Sequence, residues 1–344
     1  MACAVAAVLG VGTMQIGSGL HILTGVTSGR FLWTIIVAII VLTYVISSYT
    51  GLQRGIRFLS DQNTKIFLVL MGFIFIFGPT QFILKIGTES FGHFLDSFSK
   101  MSFFLSPIKE SSWPRWWTVY YWAIWLAYAP LVGMFLARLV KGRTIRQFML
   151  VNVVAPAMFG MVWFAVFGGS AINLQLNGGQ VWDSIQNSGL EVSVFAFLEN
   201  FPLSGLMSWI LILAIYVSVV TMADSMTSTV SRLSTTAYKN PEEEPPTKVK
   251  FFWGIVMSGM AIINILAPQG DISGIDATKQ LATVAGLPIL FAVIAMAIAG
   301  IKGIIQHEKY DLANNPETAE LDVPSDIGGR SIEDEVMTDE EAGI

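Results

Sequence analysis

Residues 116–137 read WWTVYYWAIWLAYAPLVGMFLA, 22 consecutive positions without an Asp, Glu, Lys or Arg. A helix that crosses the roughly 30 Å hydrocarbon core of a bilayer needs about 20 apolar residues at about 1.5 Å of rise each. This stretch is long enough to cross. Seven further windows are equally free of charge: 1–29, 31–53, 66–84, 147–182, 200–223, 251–270 and 280–301. In lipid every backbone N–H and C=O must be paired within the protein. Windows this long, not separated by two-residue turns, predict helices rather than barrel strands. The sequence therefore predicts an all-α integral membrane protein with eight transmembrane helices.

Composition agrees. Of 344 residues, 53% are hydrophobic and 13% charged, about half the charge of an ordinary soluble domain. A soluble multidomain protein, a coiled coil, a disordered chain and a nucleic-acid-binding protein are all disfavoured. Up to Gln306 there are 18 Lys/Arg against 13 Asp/Glu, and from His307 onward 2 against 12. The net −5 is thus the sum of a mildly basic body at +5 and a short tail at −10. Residues 1–304 read as the membrane core. Residues 305–344, rich in acids and poor in aromatics, read as a disordered cytoplasmic tail. Cys3 is the single cysteine, so neither an intrachain disulfide nor a cysteine metal site is available. The first window has no basic leader and is too long for a signal peptide, and it reads as a span.

If the first span runs from inside to outside, 14 Lys/Arg fall on the cytoplasmic side, among them Arg54, Arg57, Arg143 and Lys250, and 6 on the other. That satisfies the positive-inside rule and puts both termini in the cytoplasm. Residues 88–105 place Phe91, Phe94, Leu95, Phe98 and Met101 at helical spacing opposite Asp96 and Lys100, which predicts an interfacial helix. Residues 170–202 read as a partly helical outer loop, and Asn240 to Pro246 as a solvated cytoplasmic one.

Enzyme signatures are missing: the three histidines (His21, His93, His307) are scattered, and there is no HExxH, GxSxG or P-loop. The aromatic density of the quoted stretch is unusual. At about 100° per residue, Trp117, Tyr121, Trp125 and Tyr128 fall within an arc of about 80°. Two readings fit this stripe. Trp and Tyr gather at membrane interfaces for amphipathic reasons, and stacked indole and phenol faces also hold a quaternary ammonium by cation–π attraction. Pro130 and Gly133 predict a local loosening just beyond the stripe, the kind of interruption beside which transporters bind substrates. A second unusual stretch runs from Ser218 to Thr229. Asp224 is an acid within an apolar span, a functional candidate by default, surrounded by hydroxyls suited to an alkali cation. A hydrated helix end with Asp224 paired to a basic loop residue such as Arg143 fits equally well.

The stretch WTVYYWAIWLAYAPLVGMFLARLVKGRTIRQF, residues 117–148, resembles the signature of the betaine/choline/carnitine transporter family: W-T-x-x-Y-W-x-x-W, then P-x-V-G-x-F-x-A-R and G-R-T-I-R. The resemblance implies a LeuT-like inverted-repeat core of five plus five helices, often a homotrimer in the cell membrane. It further implies a sodium-coupled symporter or exchanger for quaternary ammonium compatible solutes such as glycine betaine, serving osmotic protection. Choline- and carnitine-type carriers belong to the same family.

Carried over by position, the family's substrate box falls on Trp122, Ile124, Trp125 and Tyr128. The family usually has Trp where Ile124 stands and often Trp where Tyr128 stands. Its T-S-A-D-S sodium motif falls on Thr221-Met222-Ala223-Asp224-Ser225, which gives a sodium role to the Thr221 hydroxyl and the Ser218 carbonyl. Met222 puts a soft thioether where the family has a hydroxyl. In sodium-independent members an arginine follows the S-D pair, whereas here Ser60-Asp61 is followed by Gln62-Asn63, which favours sodium coupling. The family has twelve spans, and the eight here match the last eight, which implies that the chain alone does not transport. A non-transporting sensor or assembly subunit is then the alternative. The acidic tail would be repelled by anionic lipid, so deletion after Glu308 is expected to leave activity unchanged.

Overall fold

The computed structural model of the protein describes residues 2–50, 53–108, 111–139, 144–235, 245–266 and 275–305. The acidic tail, Arg143 and residues 240–244 of the expected cytoplasmic loop lie outside the described residues. The chain divides into two compact units, Met1–Leu290 and Phe291–Ile344. Of the second unit, the end of a helix reaching Ile305 is described.

Twelve α-helices are assigned among the described residues. They are α1 (Ala2–Thr24), α2 (Arg30–Thr50), α3 (Gln53–Phe77), α4 (Thr80–Ser102), α5 (Tyr120–Leu139), α6 (Ile145–Met149), α7 (Ala155–Leu176), α8 (Val181–Ser188), α9 (Ser193–Leu198), α10 (Ser204–Leu233), α11 (Thr247–Leu266) and α12 (Ile275–Ile305). No strand is assigned among the described residues. Among the described residues seven helical stretches are long and apolar enough to cross a membrane: Val5–Thr24, Ser60–Phe77, Trp117–Ala137, Ile145–Leu176, Ser204–Leu233, Thr247–Leu266 and Gly286–Gly303. The eighth window corresponds to α2, whose apolar stretch Arg30–Tyr44 is shorter.

Helix α1 is the hub, packed against α10, α11 and α2. Small residues permit this: a Cβ on Gly12 would lie 2.4 Å from Cγ2 of Val219 on α10, a separation real atoms do not tolerate. The main core joins Ala6, Leu9 and Ile16 of α1, Ile36, Val37 and Ile40 of α2, Leu70 and Ile74 of α3, and Leu211, Val219 and Val220 of α10.

Several expectations change. The window 66–84 is two helices, because Pro79 follows Gly78 and cannot continue α3; α3 ends at Phe77 and α4 begins at Thr80. The helix expected over residues 88–105 therefore starts earlier and ends at Ser102. It lies along α7, and Phe91, Phe94, Leu95, Phe98 and Met101 stay exposed. The supposed outer loop is largely ordered and partly internal. Phe195, Phe197 and Leu198 of α9, with Phe201, enter the main core, where burying each large apolar side chain contributes about 1.5–3 kcal/mol. The charges Arg54, Arg57 and Lys65 belong to α3 rather than to a loop. Finally, α5 runs unbroken through Pro130 and Gly133. The irregular backbone comes at the start of the stripe, as a π-helical turn at Arg115–Val119 that includes Trp117; a second such turn, Leu150–Val154, precedes α7.

Candidate functional site

The site is built around α5. The T-I-R-Q of the signature is a helix start: Thr144 Oγ1 accepts from the Gln147 backbone N–H at 3.3 Å, and Gln147 Oε1 accepts from the Thr144 N–H at 3.2 Å. This reciprocal capping box opens α6.

From Trp113 through the π-helical turn to Tyr121 of α5 the aromatic rings form a ladder. Trp113 stacks on Trp117 with centroids 6.1 Å apart, and Trp117 on Tyr121 at 6.0 Å and 11° between planes. Trp122 stacks on Phe103 at 5.9 Å, and its indole N–H donates to the Ser102 carbonyl at 3.0 Å. The end of α4 is thereby pinned to α5. Between the two helices lies a groove of about 830 Å³ whose walls include Phe94, Phe98 and Met101 from α4, Trp117 from the π-helical turn, and Tyr121 and Trp125 from α5. Behind Trp122 a second cavity of about 570 Å³ includes Leu126, Leu287 and Leu290 in its lining. There α12 touches α5 at the backbone, since a Cβ on Gly286 would lie 2.8 Å from both the Cα and the carbonyl oxygen of Ala123.

The four residues of the expected substrate box do not form one closed cage. Trp122 is 50% exposed and Trp125 67% exposed, both opening onto the α4 groove. Ile124 is half-buried. Tyr128 turns inward, against a small cluster of Val5, Leu131, Val230 and Met257. Met222 of the expected ion set packs against that same cluster. One substrate candidate and one ion candidate thus border the same cluster, while the two tryptophans line the α4 groove.

Of the remaining ion candidates, the Thr221 hydroxyl donates to the Val217 and Ser218 carbonyls at 2.8 and 3.1 Å. The Ser218 carbonyl and the Thr221 hydroxyl are therefore neighbours, and the hydroxyl keeps its lone pairs for an acceptor role. The Ser218 hydroxyl accepts from the Asn63 amide of α3 at 2.6 Å. Asn63 is 8% exposed, and its Oδ1 is buried without a hydrogen-bond partner, a hard oxygen beside the proposed ligands. Sequence reasoning took Gln62-Asn63 only as the absence of an arginine after Ser60-Asp61 and so missed this oxygen. About 100° per residue puts Asp224 about 60° around α10 from Thr221 and about 120° from Ser218. Among the described residues no group of three or more His, Cys, Asp or Glu gathers to hold a metal.

Comparison with known proteins follows this geometry. A family described as BCCT, betaine/carnitine/choline family transporter, matches residues 1–309. The glycine betaine transporter OpuD of Bacillus subtilis is 31% identical over 306 residues, 88% of this chain and 57% of that protein. An ectoine/hydroxyectoine transporter of Virgibacillus pantothenticus is 32% identical over 307 residues, 89% of this chain and 59% of its own. The betaine/ectoine transporter LcoP of Corynebacterium glutamicum is 34% identical over 307 residues, covering 87% and 47%. The chain therefore spans about half to three-fifths of the length of these relatives, which are transporters by name and not enzymes. With 309 residues matched, an all-helical architecture and seven membrane-length helices, this multi-pass membrane chain belongs to the betaine/carnitine/choline transporter family.

Proposed function

We propose that the chain works in secondary transport of a small quaternary ammonium compatible solute such as glycine betaine, by sodium symport, as part of the osmotic stress response. The observation that carries this reading is the exposure of Trp122 and Trp125 on a groove already walled by aromatic rings. A methyl-shielded cation offers no N–H to hydrogen-bond and is held by ring faces, each contact worth about 0.5–2 kcal/mol. The proximity of the Ser218 carbonyl and Thr221 hydroxyl supports the sodium site. Met222 is a poor partner for a hard cation, so sodium binds weakly in this reading. The homotrimer, the lipid contact through α4 and the cytoplasmic C-terminus belong to the same proposal. Ectoine is the second candidate solute, since two of the relatives carry it in their names.

The test is uptake into proteoliposomes containing the chain, alone and joined to the N-terminal spans of the Bacillus subtilis relative. Glycine betaine and ectoine are offered with and without a sodium gradient. Sodium-driven uptake that collapses in Trp125→Ala supports the proposal; uptake indifferent to Trp125→Ala removes the cage.

A further inference from the structure

The ring faces of the α4–α5 groove account for one end of the proposed solute and leave the other end unmatched. Glycine betaine carries a carboxylate beside its quaternary ammonium, and ectoine carries one beside its cationic ring. A carboxylate gains nothing from an aromatic face, and it is costly to desolvate unless N–H or O–H donors meet it. One side chain in the wall of this groove has no part in the site described so far: His93 of α4.

Among the described residues that line the groove there is no Asp, Glu, Lys or Arg, and His93 is the single side chain able to carry a positive charge. At about 100° per residue, His93, Ser97, Met101, Phe94 and Phe98 follow one another around α4 over an arc of about 140°, with His93 at one border and Ser97 about 40° inside it. Imidazole and hydroxyl thus stand one turn apart on the same strip of the wall. The acids Glu89 and Asp96 fall about 40° and 60° beyond His93 on the opposite flank, and neither lines the groove. These charges also hold this part of α4 at the wetted interface, where a zwitterion arrives from water.

The indole and phenol donors of the aromatic wall are neutral, and that of Trp122 is already taken by the Ser102 carbonyl. Imidazole donates an N–H in either protonation state, and two when charged. A charge-assisted bond to a carboxylate is about twice as strong as a neutral one.

We propose that His93, with Ser97 beside it, receives the carboxylate of the solute and so selects zwitterionic betaines over choline. Choline has the same trimethylammonium but a hydroxyl in place of the carboxylate. The assignment rests on the α4 groove being the solute site.

The experiment titrates glycine betaine and choline chloride, at constant sodium chloride, against the tryptophan fluorescence of the full chain in detergent, to which Trp113, Trp117, Trp122 and Trp125 of the groove contribute. The unaltered chain binds glycine betaine about tenfold or more tighter than choline. His93 is exposed, so His93→Leu leaves the core intact; it weakens glycine betaine by about that factor and leaves choline unchanged. His93→Gln, which keeps an N–H donor, retains part of the preference. Equal affinity of the unaltered chain for the two solutes overturns the role of His93 and leaves the groove as the solute site. So does a His93→Leu chain in which both solutes weaken alike or neither weakens. Binding of neither solute, or binding that Trp125→Ala leaves untouched for both, overturns the groove itself and this assignment with it.

Discussion

Asn63 on α3 donates its side-chain amide to the hydroxyl of Ser218 on α10 at 2.6 Å. The bond joins two spans through a residue 8% exposed. Ser218→Ala strands the buried amide, and the lost partner should cost about 1–3 kcal/mol. Asn63→Leu combined with Ser218→Ala removes both polar groups and should recover most of that loss. Thermal unfolding of the two single variants and the double variant checks it, as a coupling between neighbours in one cycle.

Trp125→Ala separates function from stability. The side chain is 67% exposed, so unfolding should move by no more than about 0.5 kcal/mol. Under the proposed function, sodium-driven uptake should fall about tenfold, the equivalent of one lost cation–π contact of about 1.4 kcal/mol. Parallel unfolding and uptake measurements on one preparation decide it.

Two glycines should respond in opposite directions. At Gly286 an added Cβ meets backbone atoms of Ala123 at 2.8 Å, whereas at Gly133 it meets nothing within 4 Å. Gly286→Ala should destabilise by about 1–3 kcal/mol, because backbone cannot rotate out of the way. Gly133→Ala should stabilise α5 by about 0.5–1 kcal/mol through helix propensity. Differential unfolding of the two variants is the measurement.

Trp122→Phe keeps a ring to stack on Phe103 but deletes the N–H that donates to the Ser102 carbonyl. The loss should be about 0.5–1.5 kcal/mol, concentrated where α4 ends. Hydrogen exchange should therefore quicken at Ser102 and Phe103 and stay unchanged along α10.

Helix class and membrane character were legible because charge-free length is a property of sequence alone. The signature helix was legible for the same reason; the capping box of Thr144 and Gln147 just beyond it went unread, although its three-residue spacing stands in the sequence. What sequence could not supply was direction. Trp122 and Tyr128 lie six positions apart on one helix, yet only the position of α4 against α5 determines that the first faces a groove and the second a cluster. Asn63 was invisible because its significance comes from Ser218, 155 positions away. The segment 193–201 was misread for the opposite reason: its Phe residues looked like ornaments of an outer loop until the core they fill was in view.

Helix α10 is unbroken for 30 residues, a rod of about 45 Å. Without a hinge, it cannot yield at one level and hold still at another. A tilt that loosens Ser218 from Asn63 also shifts Val219 against Gly12 of α1, so the helix acts as a single lever on both neighbours.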